Sequence, residues 1–206
     1  MNPLQPDKVQ FAPHLLLLDV RILSETLCTV RRVLSARLGR TLPDLDLVSW
    51  LDYIALDAGL RPGTQGEMQL LLVTHDLNTP LPGVVPSSLA ELDGRACTSM
   101  LGEWSFAVVS SAHFTSSQAL FTDLMELALD ASEVRTLLLL PYPDGQPAED
   151  VATRLSKIYD PNQPEQKGKQ VVYFHLQPLS RPLPCPTESI VFSLMKALGI
   201  REEEFQ

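Results

Sequence analysis

The sequence contains few cysteines and no long apolar run. Its three cysteines, Cys28, Cys97 and Cys185, are widely spaced, and none belongs to a CxxC pair. Scattered cysteines in odd number, with no histidine at zinc-ligand spacing, argue against a structural zinc site and a disulfide framework. No apolar stretch approaches the roughly 20 residues that a membrane-spanning helix needs. The sequence therefore predicts a cytoplasmic protein with buried, reduced thiols and no membrane segment.

An excess of positive charge is also absent. The 206 residues include 16 Lys and Arg against 25 Asp and Glu, which gives a formal net charge of −9. This charge opposes broad binding to nucleic acid or to anionic membranes. Hydrophobic residues make up 45% of the chain and charged residues 20%, which is typical of a globular protein. We expect residues 1–13 to form an N-terminal extension without signal or anchor features, and residues 14–206 to form one domain.

Several catalytic and nucleotide-binding motifs are missing as well. The sequence has no GxxxxGK[ST] loop, no GxSxG elbow and no HExxH pair. These absences exclude a P-loop nucleotide site, an α/β-hydrolase nucleophile and a zinc protease of the HExxH type. The four histidines are too scattered along the chain to define a triad.

Five stretches have the apolar composition of buried β-strands. They are residues 15–20, 68–75, 104–111, 136–142 and 170–177. Four are almost continuously apolar, as expected for parallel strands that are covered on both faces. Segments of helical periodicity separate them, beginning with residues 21–38 and 46–58. The sequence therefore predicts a three-layer, Rossmann-like α/β fold, with a mostly parallel sheet of about five strands and helices on both faces.

Acidic residues follow three of the predicted strands. Asp19 closes the first strand, Asp76 follows the second and Asp144 follows the fourth. Ligands of open α/β sheets bind outside the carboxyl ends of the strands, near the switch in strand order. If these three carboxylates converge there, they form a candidate site for Mg²⁺ or Mn²⁺. The alternative for each is a structural role, in which the carboxylate caps a turn or a helix.

The run LLLLDVRILSE, residues 15–25, resembles the first strand and turn of PIN-like nuclease domains, where an aspartate ends the strand. Two predicted helices before the second strand also suit that fold. The resemblance implies a ribonuclease that depends on Mg²⁺ or Mn²⁺, with RNA as its substrate and Asp19 at a matched acidic position. The third strand departs from the family pattern, because it ends in VVSSAHF where a carboxylate would be needed.

The segment after the third strand is a candidate anion-binding site. Ser110, Ser111, Thr115 and Ser116 supply hydroxyl groups before a predicted helix, and the unpaired N–H groups of a helix start favour anions. Thr115 is the predicted N-cap, because Gln118 follows it at capping-box spacing. The alternative is a capped helix that begins with an ordinary polar loop.

Basic residues concentrate on the first predicted helix. Arg31 and Arg32 lie off its apolar stripe, so we expect both to face solvent as candidate contacts for an acidic partner or a phosphate. Two alternatives are a simple solvated face and a contact with the acidic helix that carries Asp123, Glu126 and Asp130.

Two functions from different classes follow from these patterns. The incomplete acidic set and the apolar last strand favour a non-catalytic Rossmann-like binding or assembly module. The alternative is a divalent-metal-dependent phosphodiesterase or ribonuclease of PIN-like type. The last strand, residues 170–177, is expected at or near a sheet edge, since a proline-rich stretch follows it. An uncovered apolar edge has unpaired backbone groups, so either the proline-rich stretch folds back to shield it or a second copy pairs with it; of these we predict the homodimer.

Overall fold

Strands and helices alternate along the chain in a computed structural model that describes residues 10–64, 66–111, 115–143, 146–163 and 166–205. The strands are β1 (His14–Asp19), β2 (Leu45–Asp46), β3 (Met68–Thr74), β4 (Val84–Val85), β5 (Ala96–Thr98), β6 (Glu103–Ser110), β7 (Thr136–Leu140), β8 (Gln170–His175) and β9 (Thr187–Ser189). The α-helices are α1 (Leu27–Leu38), α2 (Leu47–Asp57), α3 (Leu89–Leu92), α4 (Ser117–Asp130), α5 (Gln146–Ile158) and α6 (Ile190–Ala197). A π-helical turn over Ile22–Thr26 leads into α1, and a 3₁₀ turn covers Glu202–Phe205.

The main sheet of the described chain has the order β5-β6-β3-β1-β7-β8-β9. All of its neighbouring strands are parallel except β5, which runs antiparallel to β6. The five predicted strands form the parallel centre of this sheet, and their bounds agree with the prediction to within two residues. The Rossmann-like α/β fold is therefore confirmed. Strand order reverses between β1 and β7, because the chain builds outward from β1 to β6 and then returns to the other side of β1.

The central strand β1 shows why its sequence is continuously apolar. Leu16 and Leu18 pack into the core beneath α1, α2 and α6, whereas Leu15 and Leu17 pack into the core beneath α4 and α5. Successive side chains of a strand point to opposite faces. Both faces are covered by helices, so every position of the strand is buried and the alternation between apolar and polar residues disappears.

The strand β8 is second from an edge of the sheet. The short strand β9 pairs with its carboxyl half, from Tyr173 opposite Thr187 to His175 opposite Ser189. The expectation that this strand lies near an edge is confirmed, but the chain itself covers half of its outer side. The homodimer stays a prediction.

The described end of the predicted extension packs onto the domain. Phe11 is buried in the core beneath α4 and α5, and the backbone N–H of Ala12 donates to the side-chain oxygen of Gln69 at 3.2 Å. The boundary between extension and domain at residue 14 remains a prediction. None of the helices described in the structure combines the length and the apolar character needed to cross a membrane.

Candidate functional site

The crevice between the carboxyl ends of β1 and β7 is the position at which Rossmann-like sheets bind ligands. Here side chains of the protein occupy it. Asp19 ends β1 and Arg21 follows two residues later, while Tyr142 lies two residues beyond β7. The guanidinium carbon of Arg21 lies 4.1 Å from the centre of the Tyr142 ring, which is a cation–π contact.

Asp19 is almost completely buried and accepts three hydrogen bonds from Arg21. The backbone N–H and the Nε of Arg21 each donate to Oδ1 at 3.0 Å, and Nη2 donates to Oδ2 at 2.6 Å. Burial of the guanidinium opposes its charge, but the hydrogen bond and the negative charge of Asp19 outweigh this cost and raise the pKa of Arg21 above its ordinary value. Both carboxylate oxygens are therefore held in a bidentate ion pair.

The connection that follows β1 leaves no room for a phosphate-binding loop. The N–H of Val20 still donates to the carbonyl of Val73 in the neighbouring strand, and the N–H of Leu23 already donates to the carbonyl of Val20. A Rossmann nucleotide site needs a glycine-rich turn between these two points, so that the backbone can approach the pyrophosphate. At the rim of the crevice, the hydroxyl of Tyr142 donates to the carboxylate of Glu25 at 3.0 Å.

Of the three candidate metal ligands, the structure describes Asp19 and Asp76, and each of these carboxylates has a partner within the protein. Asp19 is paired with Arg21, and Asp76 is exposed and accepts the backbone N–H of Asn78 at 2.9 Å, as in an Asx turn. Asp144 lies outside the described residues, so the complete set stays a prediction. Across the ranges that the structure describes, no three His, Cys, Asp or Glu residues are grouped to hold a metal ion.

The helix start predicted at Thr115 lies one residue later. Ser116 is the N-cap of α4, and its hydroxyl accepts the backbone N–H of Ala119 at 3.0 Å. The prediction of Thr115 was wrong because the capping-box spacing to Gln118 is shared by many polar loops and does not by itself fix the register of the helix.

The serines at the end of β6 contact a histidine that follows the neighbouring strand β3. The buried hydroxyl of Ser111 lies 3.3 Å from Nδ1 of His75, and the hydroxyl of Ser110 donates to the backbone carbonyl of His75 at 3.1 Å. Both hydroxyls thus join β6 to the segment after β3. Their role as anion ligands stays a prediction.

The two arginines of the predicted partner surface differ in their environment. The Arg31 side chain is only 20% exposed, and its Nη2 donates to the carbonyl of Leu42 at 3.0 Å and to the carboxylate of Asp44 at 2.8 Å. It also packs over Gly83, where an added Cβ would collide with the guanidinium. The expectation that Arg31 faces solvent is therefore wrong, whereas Arg32 is exposed as expected.

The alternative in which the basic helix contacts the acidic helix is contradicted by the structure. The helices α1 and α4 pack on opposite faces of the sheet. Glu126 of α4 pairs instead with Arg154 of α5 on its own face, and this hydrogen bond lowers the pKa of Glu126. Sequence periodicity could not reveal this arrangement, because it assigns a helix a buried side but not a face of the sheet.

Two features outside the crevice were missed by sequence reasoning. The first is a groove of about 260 Å³ between α1 and α6, whose exposed lining atoms are apolar. The second is a cavity of about 380 Å³ between α2 and β5, next to the buried carboxylate of Asp52. Asp52 accepts hydrogen bonds from Ser99 Oγ at 2.8 Å, from the N–H of Met100 at 3.2 Å and from Trp104 Nε1 at 3.0 Å. A signal for the groove was the almost wholly apolar sequence IVFSLMKAL after β9.

Fold and site together define a Rossmann-like α/β protein in whose ligand crevice an arginine and a tyrosine of its own chain contact each other. The chain belongs to the family of unknown function DUF6621, which matches residues 8–205. No curated protein and no solved structure matches it. The resemblance to PIN-like nucleases inferred from residues 15–25 is not supported by these comparisons.

Proposed function

We propose that the protein is a non-catalytic binding module that uses the Rossmann-like fold as a scaffold. The observation that supports this is the position of Arg21 in the crevice between β1 and β7. A metal site would need the carboxylate oxygens of Asp19, and a nucleotide site would need free backbone N–H groups. The carboxylate is already bound by Arg21, and the connection to the helix has no glycine-rich turn.

Displacement of Arg21 by a ligand would be unfavourable. Hydrogen bonds that involve a charged group contribute about 1.5 to 3 kcal/mol each. The guanidinium makes two such bonds through its side chain and adds the contact with Tyr142. A ligand at Asp19 would have to replace these interactions before it gained any affinity.

The partner in this proposal is a different protein in the cytoplasm. All three cysteines are free, which fits a reducing compartment. The predicted homodimer depended on an open β8 edge, and β9 now pairs with half of that edge. Sedimentation equilibrium tests the point, since a mass near 22.8 kDa at all concentrations is expected for a chain that does not pair with itself.

The thermal stability of the protein with crevice ligands tests the proposal. We expect no change in Tm with Mg²⁺, Mn²⁺, ATP or NAD at millimolar concentration. A ligand at a hundred times its Kd would add about 2.7 kcal/mol to the free energy of unfolding. A rise in Tm that occurs with the natural sequence and disappears in Asp19→Asn would contradict the proposal and favour the metal-dependent or nucleotide-binding alternative.

A further inference from the structure

We propose that the outer edge of β5 binds an extended segment of a partner protein, which places a Lys or Arg side chain in the cavity between α2 and β5. This inference rests on the proposed function of a non-catalytic binding module and assigns the surface that the module uses. Extended segments commonly add to an open sheet edge, where backbone hydrogen bonds supply affinity and pockets for side chains supply specificity.

The backbone of β5 presents hydrogen-bonding groups on its outer side. In the part of the chain that the structure describes, β5 ends the sheet and pairs only with β6. The carbonyl of Arg95 accepts the N–H of Phe106 at 2.8 Å. A trans peptide holds its C=O and N–H on opposite sides, so the N–H of Ala96 points away from β6. Inward and outward residues alternate along an antiparallel strand, so Thr98 also presents its N–H and C=O outward.

The cavity lies beside the centre of this edge, on the face of the sheet that α2 covers. Cys97 lines the cavity and packs against the core beneath α1, α2 and α6, so its side chain points to that face. A residue opposite Cys97 in an added strand would share this face, with its Cβ about 4.5 to 5.5 Å from that of Cys97. The side chain of that residue would therefore enter the cavity.

The walls of the cavity select a cation. Asp46 and Asp52 line it, whereas none of the described Lys, Arg or His residues does so. The Oδ1 of Asp46 accepts the N–H of Ser49 at 2.7 Å, and Asp52 accepts neutral donors. Neither carboxylate forms an ion pair with a described residue. Burial and then the charges of Asp52, Asp46 and Glu103 raise the pKa of the Cys97 thiol, as expected at a site of negative potential.

Two basic residues of this region do not line the cavity. Lys196 of α6 lies over the ring of Tyr53 at 4.3 Å and acts on Asp57. Arg95, two residues before Cys97, is exposed and lies outside the cavity lining. The negative charge of the cavity is therefore available to a cation from the partner.

A long basic side chain also matches the apolar part of the cavity. Val48 and Met100 contribute to the lining, and Met100 is 55% exposed. Lys and Arg pack their aliphatic stems along apolar surface and keep the charged head at a polar site. The stem would contact Val48 and Met100 while the head approaches Asp46.

A second copy of the chain fits this edge less well. A two-fold contact between two β5 edges would pair Cys97 with its counterpart and bring the two acidic cavities side by side on one face of a joined sheet. Like charges oppose that contact, and neither cavity would receive a cation. A segment with Asp or Glu opposite Cys97 would meet the same repulsion.

A set of labelled peptides provides the probe for this edge. Each is about nine residues long, with β-branched residues on both sides of a central Lys, norleucine or Glu. We expect saturable binding of the lysine peptide to the full chain by fluorescence anisotropy. The norleucine peptide keeps the aliphatic stem without the charge and should bind about tenfold more weakly, and the glutamate peptide should bind more weakly still.

Two variants of the protein test the edge and the cavity separately. Ala96→Pro removes an N–H that points away from β6, and an edge strand tolerates proline at such a position. Asp46→Asn removes a carboxylate from the cavity and keeps the N-cap of α2, since Asn caps helices as well as Asp does. Each should raise the Kd of the lysine peptide about tenfold. Asp46→Asn should also reduce the difference between the lysine and norleucine peptides.

Two controls accompany these variants. Asp123→Asn removes the charge of an exposed aspartate on α4, on the opposite face of the sheet, and should leave the Kd unchanged. A lysine peptide with N-methyl groups on Lys and on both of its neighbours keeps the charge but cannot donate to the edge, and it should not bind. This peptide tests the edge with the natural protein, so the test does not depend on the stability of Ala96→Pro.

Several results would overturn the inference. They are no saturable binding of the lysine peptide, equal binding of the lysine and glutamate peptides, an unchanged Kd in Asp46→Asn, or undiminished binding of the N-methylated peptide. A dimer in sedimentation equilibrium that Ala96→Pro dissociates would assign the edge to a second copy. Each of these results leaves the proposed non-catalytic role standing, since that role fails only through a ligand at Asp19.

Discussion

Two almost fully buried aspartates, Asp19 at 2% and Asp52 at 3% exposure, are satisfied in different ways. Asp19 lies at the carboxyl end of β1 and is paired with the guanidinium of Arg21, only two residues away. Asp52 lies on α2 and receives three neutral donors from residues 47, 48 and 52 positions further along the chain. The first carboxylate closes a local turn beside the ligand crevice, whereas the second holds a helix to a distant part of the sheet.

This difference shows how little burial alone says about function. A buried carboxylate at a strand end is a candidate ligand, but a guanidinium beside it converts it into a structural ion pair. A buried carboxylate within a helix is not an obvious candidate ligand. Asp52 nevertheless joins α2 to the loop after β5 and to β6. We therefore expect substitutions at Asp52 to be more disruptive than substitutions at Asp19.

The largest effect is expected for Asp52→Ala. The substitution leaves the indole N–H of Trp104 and the N–H of Met100 without their acceptor, whereas the hydroxyl of Ser99 can still donate to the carbonyl of Gly102. Each buried unsatisfied group costs about 1 to 3 kcal/mol, so we expect the free energy of unfolding to fall by about 3 to 5 kcal/mol. Equilibrium urea denaturation measures this loss. Asp52→Asn keeps one acceptor and the side-chain shape, and a loss as large as that of Asp52→Ala would show that the negative charge is what matters.

A smaller loss is expected for Asp19→Ala. The substitution leaves Arg21 without its ion pair, but the Arg21 side chain is 31% exposed and can turn to water. We expect the free energy of unfolding to fall by about 1 to 3 kcal/mol. Arg21→Met removes the cation instead, and the double variant should lose less than the sum of the two single variants, since both remove the same interaction. Additive losses would mean that Asp19 and Arg21 contribute independently.

Arg31 and Arg32 are neighbours that the helical periodicity predicted to face solvent. Arg32 does so, whereas Arg31 is largely buried. Arg31→Ala removes hydrogen bonds to Leu42 and Asp44 and should lower the free energy of unfolding by about 1 to 2 kcal/mol. Arg32→Ala changes an exposed side chain and should stay within about 0.5 kcal/mol. Urea denaturation of the two variants compares them directly. Similar losses would show that the contacts of Arg31 contribute little.

The sequence predicted the strands that helices cover on both faces of the sheet. The runs LLLLD in β1 and TLLLL in β7 are apolar throughout because helices cover both sides, and such runs are visible without any tertiary information. The short strand β9 has the sequence TES and no apolar signal, so it was missed. The contacts of Arg31 with Asp44 and of Asp52 with Trp104 depend on which loops and strands come together in space, and periodicity along one helix does not contain that information.

A third aspartate, Asp57, differs from both Asp19 and Asp52. Among its described contacts it has neither a paired cation nor hydrogen-bond donors. It ends α2, where the helix dipole disfavours negative charge. Partial burial and then the charge of Glu188 raise the pKa of Asp57, while Lys196 acts in the opposite direction. A carboxyl whose pKa is raised on folding costs stability when it is ionised, and this cost falls as the pH drops through the folded-state pKa.

Asp57→Asn removes the ionised form and should therefore stabilise the protein at pH 7. The gain should be about 0.3 to 0.5 kcal/mol, which is small because the side chain is only partly buried and solvent screens its charge. Urea denaturation of both proteins should show this gain at pH 7 and a smaller gain at pH 4, where the natural carboxyl is partly protonated. An Asn variant that is less stable than the natural protein at pH 7 would show that the attraction of Lys196 for Asp57 exceeds the combined cost of burial, Glu188 and the helix end.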